Sequence, residues 1–194
     1  MIKKLVIGAF VGAILQFIWG GISYMALPWH KTTTETFKDE AAMAKAITAN
    51  APVPGIYLLP NPNARDTATD PVAAKAAHDK AQAMWASGPI VFAAVSGGTN
   101  PDMKKQFAGA LGIGALGGLM MTWLLLSVGL PGYWQRVRFV ATVALTAGII
   151  VNLPNMNWWG FPMMYTKVQN ADLLAGWTIT GMALAKLTAG GKKK

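Results

Sequence analysis

Cysteine is missing altogether from the 194 residues, and histidine occurs only twice, as His30 and His78. The first absence removes disulfides and thiolate chemistry. The second leaves no basis for a haem held by two histidines facing each other across a bilayer. Charge is scarce as well. Asp, Glu, Lys and Arg together make up 13% of the chain, where a soluble domain usually carries about a quarter. Catalytic patterns are also missing: there is no Ser-x-x-Lys, Gly-x-Ser-x-Gly or His-Glu-x-x-His. His78 and Asp79 are neighbours on a predicted helix, so they point in different directions, as on a solvated face. Ser96–Asn100, SGGTN, lacks the lysine and helix start of a phosphate loop and reads as a flexible linker. No enzyme and no cofactor are expected.

What the chain does have is long apolar runs. Hydrophobic residues make up 53% of it, and the mean hydropathy is +0.36. Leu5 to Leu27 carries no formal charge, and at 1.5 Å per residue it spans roughly 34 Å, enough to cross a hydrocarbon core. Lys3 and Lys4 could head a signal peptide, but the run is too long for one and lacks a clean cleavage site, so it reads as a retained anchor. Phe107 to Leu130 is a second uncharged run, closed by Pro131-Gly132. Phe139 to Leu153 is a third, stopped by Pro154 and lengthened by Tyr133–Arg138, whose Arg136 and Arg138 can snorkel. Ala171 to Leu187 is the fourth, with Lys186 placed in the same way.

The net charge of +9 is distributed unevenly. Lys3 and Lys4, Arg136 and Arg138, and Lys192–Lys194 lie in segments without a single acid. Seven acids fall between Glu35 and Asp102, and Asp172 is the only one elsewhere. The positive-inside rule then puts both termini and the 131–138 loop in the cytoplasm. The excess charge is thus a topology signal, with some attraction to anionic lipid, and not a nucleic-acid footprint.

Residues 28–106 form an external domain, between residues 1–27 (N-terminal tip and span one) and residues 107–194 (spans two to four). Thr36–Asp39 resembles a capping box, and Phe37, Ala41, Ala44 and Ile47 share a helical face as far as Asn50 and Pro52. GIYLLP, Gly55 to Pro60, predicts a strand. Asp70-Pro71 opens a helix that runs to Gly88, and PIVFAAVSGG predicts a second strand. Strand, helix and strand in this order predict a small parallel pair with a crossover. A pair so small needs support from elsewhere, the first hint of an interaction protein.

PNMNWWGFPMMYTK, residues 154–167, poses the sharpest question about a site. It reads as the loop joining spans three and four. Trp158, Trp159 and Tyr165, with Trp29 and Trp134, fit an aromatic belt at headgroup level. Met156, Met163 and Met164, with His30, form the rival set of soft-metal ligands, suited to Cu(I), although methionine also fills gaps in apolar packing. Gly8 and Gly12 make one small-xxx-small pair and Gly114 and Gly118 another, for packing within the bundle or between subunits. Gln16 and Asn152 can hydrogen-bond between helices, and the middle of each span has no ionisable group, which disfavours a pump.

FIWGGISYMALPWHKTTTETFKDEAAMAKAITANAPVPGIYLLP, residues 17–60, resembles a group of uncharacterised bacterial four-span inner-membrane proteins of no established activity. The resemblance rests on Trp19, Gly20, Ser23, Leu27, Pro28, Trp29, Pro54, Gly55 and Tyr57, and implies a bacterial inner membrane.

Together these readings give a mainly α membrane protein: a four-helix transmembrane bundle with a small external α/β domain between spans one and two. The expected role is a non-enzymatic structural or interaction protein, self-associating or an accessory subunit of a larger membrane complex. Its partners are the lipid bilayer and copies of itself or other membrane subunits, and not nucleic acid. The alternative is a protein that binds a hydrophobic ligand or soft metal at the outer leaflet. On the first reading, a bulky residue at Gly114 or Gly118 should change the oligomer size.

Overall fold

The computed structural model describes residues 1–61, 70–98 and 102–189. Lys192–Lys194, and Thr99 and Asn100 of the SGGTN linker, lie outside the described residues. Six α-helices and two strands are present among the described residues: α1 (Ile2–Gly21), α2 (Glu40–Asn50), β1 (Gly55–Leu59), α3 (Pro71–Ser87), β2 (Val91–Val95), α4 (Lys104–Val128), α5 (Tyr133–Trp159) and α6 (Met163–Thr188). They divide into two units: Met1–Thr34, Asn100–Met156 and Phe161–Lys194; and Glu35–Thr99 with Asn157–Gly160. Residues 28–34 and 102–106, expected in the domain between spans one and two, therefore belong with the helical unit.

Among the described residues, three helices are long and apolar enough to cross a membrane: Ile2–Ala26, Lys104–Val128 and Tyr133–Trp159. The fourth long helix, α6, carries Lys167, Asp172 and Lys186 and is not among them. Pro154 does not end the third run, because α5 continues through it to Trp159. A proline removes one backbone donor, a loss that helices in lipid tolerate when neighbouring groups compensate. Residues 154–167 are thus the end of one helix and the start of the next, not a loop. Only Gly160, Phe161 and Pro162 lie between them, and Gly160 has φ +69°, a left-handed turn that favours glycine.

In the helical unit α1 runs against α4 and α6, and α4 also meets α6. Met121 and Leu125 of α4, Val140 of α5 and Leu184 of α6 form its core. Gly132 and Gln135 start α5, the Gln135 side chain accepting the Gly132 N–H at 2.9 Å. Arg136 does not snorkel. It is buried, and its guanidinium donates to Ala185 O (3.3 Å) near the end of α6 and to Pro131 O (3.1 Å). A buried guanidinium has to have such acceptors, and the last carbonyls of a helix have none within the helix.

In the other unit Asp39, not Thr36, caps α2 by accepting Ala42 N–H, which leaves Phe37 before the helix and exposed. Asp70 caps α3 as the sequence predicts, accepting from Val72 and Ala73. The two strands pair antiparallel, Gly55 opposite Val95 and Leu59 opposite Val91, and not parallel. A parallel crossover is favoured where its helix covers a larger sheet; a two-stranded ribbon lacks that sheet, and antiparallel bonds are slightly the stronger. Tyr57, Leu59, Val91 and Ala93 on one face line an apolar cavity of about 370 Å³ with Ile47 of α2 and Ala51 just after it. Phe92, from the other face, lies 5.4 Å from the ring of Trp159.

Candidate functional site

Gln16, Trp19 and Ser23 recur at helical spacing along α1 and its continuation, and so share one face. Asp172, Gly176 and Thr180 do the same on α6. The two faces meet in a polar seam. Gln16 Nε2 donates to Thr180 Oγ1 at 2.9 Å, and Trp19 Nε1 donates to Asp172 Oδ1 at 2.7 Å. Gly176 makes room for the Trp19 indole, since a Cβ there would lie 2.5 Å from Trp19 Cδ1. Gly176→Ala is therefore expected to cost about 1–3 kcal/mol by overpacking. Gly109→Ala, where a Cβ meets nothing within 4 Å, should cost nothing. Thermal unfolding of the two variants side by side checks this, and equal melting would remove the seam's role in stability.

The seam ends at a buried cluster. After Gly21 the helix widens into a π turn, Ile22–Ala26, and Leu27 is extended, as a residue before proline should be. Pro28 and a short 3₁₀ turn at Lys31–Thr33 fold the chain back on itself. Trp29 Nε1 thereby donates to Ser23 Oγ at 3.0 Å, and His30 Nε2 lies 3.0 Å from the same oxygen. Ser23 Oγ in turn donates to Asp172 Oδ1 at 2.6 Å, and Asp172 Oδ2 lies 3.8 Å from His30 Nε2. The Tyr24 ring stacks flat on His30 at 3.8 Å. Ser23 is wholly buried and His30 is 7% exposed.

This chemistry is closed. A hydroxyl has one proton and two lone pairs. Ser23 gives its proton to the carboxylate and accepts from Trp29 and His30, so His30 carries its proton on Nε2. In a hydrolytic triad the histidine stands between serine and acid and takes the serine's proton. Here the serine stands between histidine and acid, its oxygen buried and its proton committed elsewhere. The cluster binds α1, the Pro28–Thr33 turn and α6 to one carboxylate.

Compared with protein-family models, curated proteins and solved structures, the chain matches none.

The structure distributes the sequence's candidates unevenly. Gly12 and Gly118 lie back to back, a Cβ on Gly12 falling 2.5 Å from Gly118 Cα, and a Cβ on Gly114 falls 3.0 Å from Ala13 Cα. A Cβ on Gly8 would collide with Thr122. All four glycines thus serve one crossing, α1 on α4, inside a single chain. Met156 and Met163 line a cavity of about 390 Å³ with Ile149, Leu153 and Thr166. Thr166 Oγ1 is buried without a partner among the described residues. Met164 is exposed, and His30 lines a different pocket with Nε2 turned to Ser23. The four residues of the soft-metal set are not one ligand shell. Trp134 and Trp158 are exposed, and Tyr165 lies 5.6 Å from Phe161. Trp29 is instead a donor in the cluster. Sequence reasoning missed the Asp172 cluster, although its signal was present: the single acid outside 35–102 lies in a long helix, where a carboxylate needs partners.

Proposed function

We propose that the chain is a four-span, non-enzymatic membrane interaction protein, self-associating or an accessory subunit of a larger complex. On this reading α6 is the fourth span, and both termini and the 131–138 loop face the cytoplasm of a bacterial inner membrane. Two contacts support the threading. Lys4 Nζ donates to Ala189 O at 3.0 Å, and Arg136 donates to Ala185 O, so the start of α1, the start of α5 and the end of α6 share one end. That is the end where the positive-inside rule expects basic residues. Asp172, at the other end, has its charge met by Ser23 and Trp19, which lessens the cost of holding a carboxylate in α6.

The observation that carries the interaction role is the lack of a core among the described residues of the 35–99 unit. Not one residue of α2, α3, β1 or β2 is buried. Phe37, Val53, Ile56 and Val72 are each at least 60% exposed. Both outer edges of its two-stranded sheet are unpaired among the described residues. A ribbon of two strands is marginal by itself, and exposed apolar side chains beside open strand edges characterise a surface made to be covered. Native mass spectrometry of the protein extracted with its surrounding lipid tests this. A defined multiple of the chain, or a second polypeptide, is the expected result. A lone chain, with the 35–99 unit as protected from hydrogen exchange as the helices, would sink the proposal.

A further inference from the structure

An apolar groove of about 480 Å³ runs along α1 beside the start of α4, lined by Phe17, Gly20, Gly21, Tyr24, Phe107 and Ala110. Its floor is open because a Cβ on Gly20 or Gly21 would meet nothing within 4 Å. These glycines differ from Gly12 and Gly118, which are used up in helix contact. Gln16 brings the groove's one amide, which already donates to Thr180.

Tyr24 belongs to two sites at once. It borders the groove, and its ring stacks on His30, with which it lines a separate pocket of about 330 Å³. Lys31, Thr33, Thr34, Tyr165 and Gln169 complete that pocket's polar wall. No acid lines it, and Lys31 forms no ion pair among the described residues. An ammonium, a phenol hydroxyl and an amide converging on one space are donors suited to an anionic oxygen group. A pocket of this kind beside an uncharged groove along a membrane-length helix matches one molecule with an anionic head and a hydrocarbon tail.

We infer that this is a binding site for an anionic phospholipid, its phosphate at Lys31, Tyr165 and Gln169 and an acyl chain in the groove beside Gly20 and Gly21. The inference rests on α1 crossing a membrane and is independent of whether the 35–99 unit has a partner. Charge complementarity selects the head, and the glycine-floored groove holds the tail.

The test is native mass spectrometry of the full chain from nanodiscs of phosphatidylcholine with a minor fraction of phosphatidylglycerol. The wild-type protein is expected to retain phosphatidylglycerol well above its supplied ratio. Lys31→Glu, at an exposed side chain, should lose that preference. Gly20→Leu, which fills open space, should lose retained lipid of both kinds while melting as the wild type does. Retention in the supplied ratio, or an unchanged preference in Lys31→Glu, would overturn the head assignment. A preference that survives Gly20→Leu, or that soluble glycerol phosphate displaces equally well, would reduce the site to an anion pocket and overturn the lipid. A polypeptide captured in place of lipid by a photoreactive residue introduced at position 20 would overturn it too.

Discussion

Asp172→Ala should be the most damaging single change in the polar seam, lowering stability by about 3 kcal/mol. Removing the carboxylate strands the Trp19 indole N–H and the Ser23 hydroxyl, both of which end on Oδ1 at 2.7 and 2.6 Å. Each buried donor left without an acceptor costs about 1–3 kcal/mol, and some relaxation towards the Asp172 backbone carbonyl, already 3.2 Å from Trp19 Nε1, offsets part of it. Asp172→Asn keeps an acceptor oxygen for both donors but loses the charge, so about half the loss is expected. Ser23→Ala with Asp172→Ala should cost less than the sum of the two, with a coupling of about 1–2 kcal/mol, because both remove the same bond. Thermal unfolding in nanodiscs, followed by tryptophan fluorescence, reads these values. The indoles of Trp19 and Trp29 sit 6.2 Å apart beside the cluster, so a red shift should accompany the loss. If Asp172→Ala melts with the wild type, the cluster contributes nothing to holding α1 to α6.

Gly118→Leu is the second change with a large expected effect. The nearest atoms to a Cβ there are the Gly8 carbonyl oxygen and the Gly12 Cα, the latter at 2.7 Å, and both are backbone. A flexible side chain could swing away, but here two helices must separate. Helices in lipid gain nothing from the hydrophobic effect on meeting, so the close approach of bare backbones is most of what joins α1 to α4. The expected cost is about 3 kcal/mol or more, above ordinary overpacking because no rotamer relieves it. Gly112→Leu on the same helix, where a Cβ meets nothing within 4 Å, should unfold as the wild type does. Because the crossing lies within one chain, the readout of Gly118→Leu is folding: loss of monodisperse protein and faster hydrogen exchange along α1. A shift in oligomer mass with the fold intact would show the glycine face working between chains.

Much of the architecture was legible because it depends on sums along the chain. A run such as Leu5–Leu27 declares a membrane-length helix by hydropathy alone, and Asp70-Pro71 declares its helix start by local bonding. Gln16 was legible as an interhelical donor because a lone amide on an apolar face has few other uses. Residues 154–167 were misread for a different reason. Two prolines and a glycine mark breaks, but whether a helix yields at Pro154 depends on its surroundings, and here it runs on to Trp159. The strand pair failed similarly, since strand–helix–strand order does not fix direction when no larger sheet constrains the connection.

By itself, then, the sequence determined three apolar membrane-length helices, two short strands, the Asp70 cap and the segregation of charge. Each follows from neighbouring residues, through hydropathy summed over a window or a hydrogen bond across a few positions. Only the tertiary structure decided that Ser23 gives its proton to a carboxylate 149 residues away, that four glycines meet at a single crossing, and that Arg136 is buried against the end of α6. Contacts of that kind leave no period in the chain. They exist because a buried donor, acceptor or bare backbone must find its complement, and only the packed helices bring the candidates within reach.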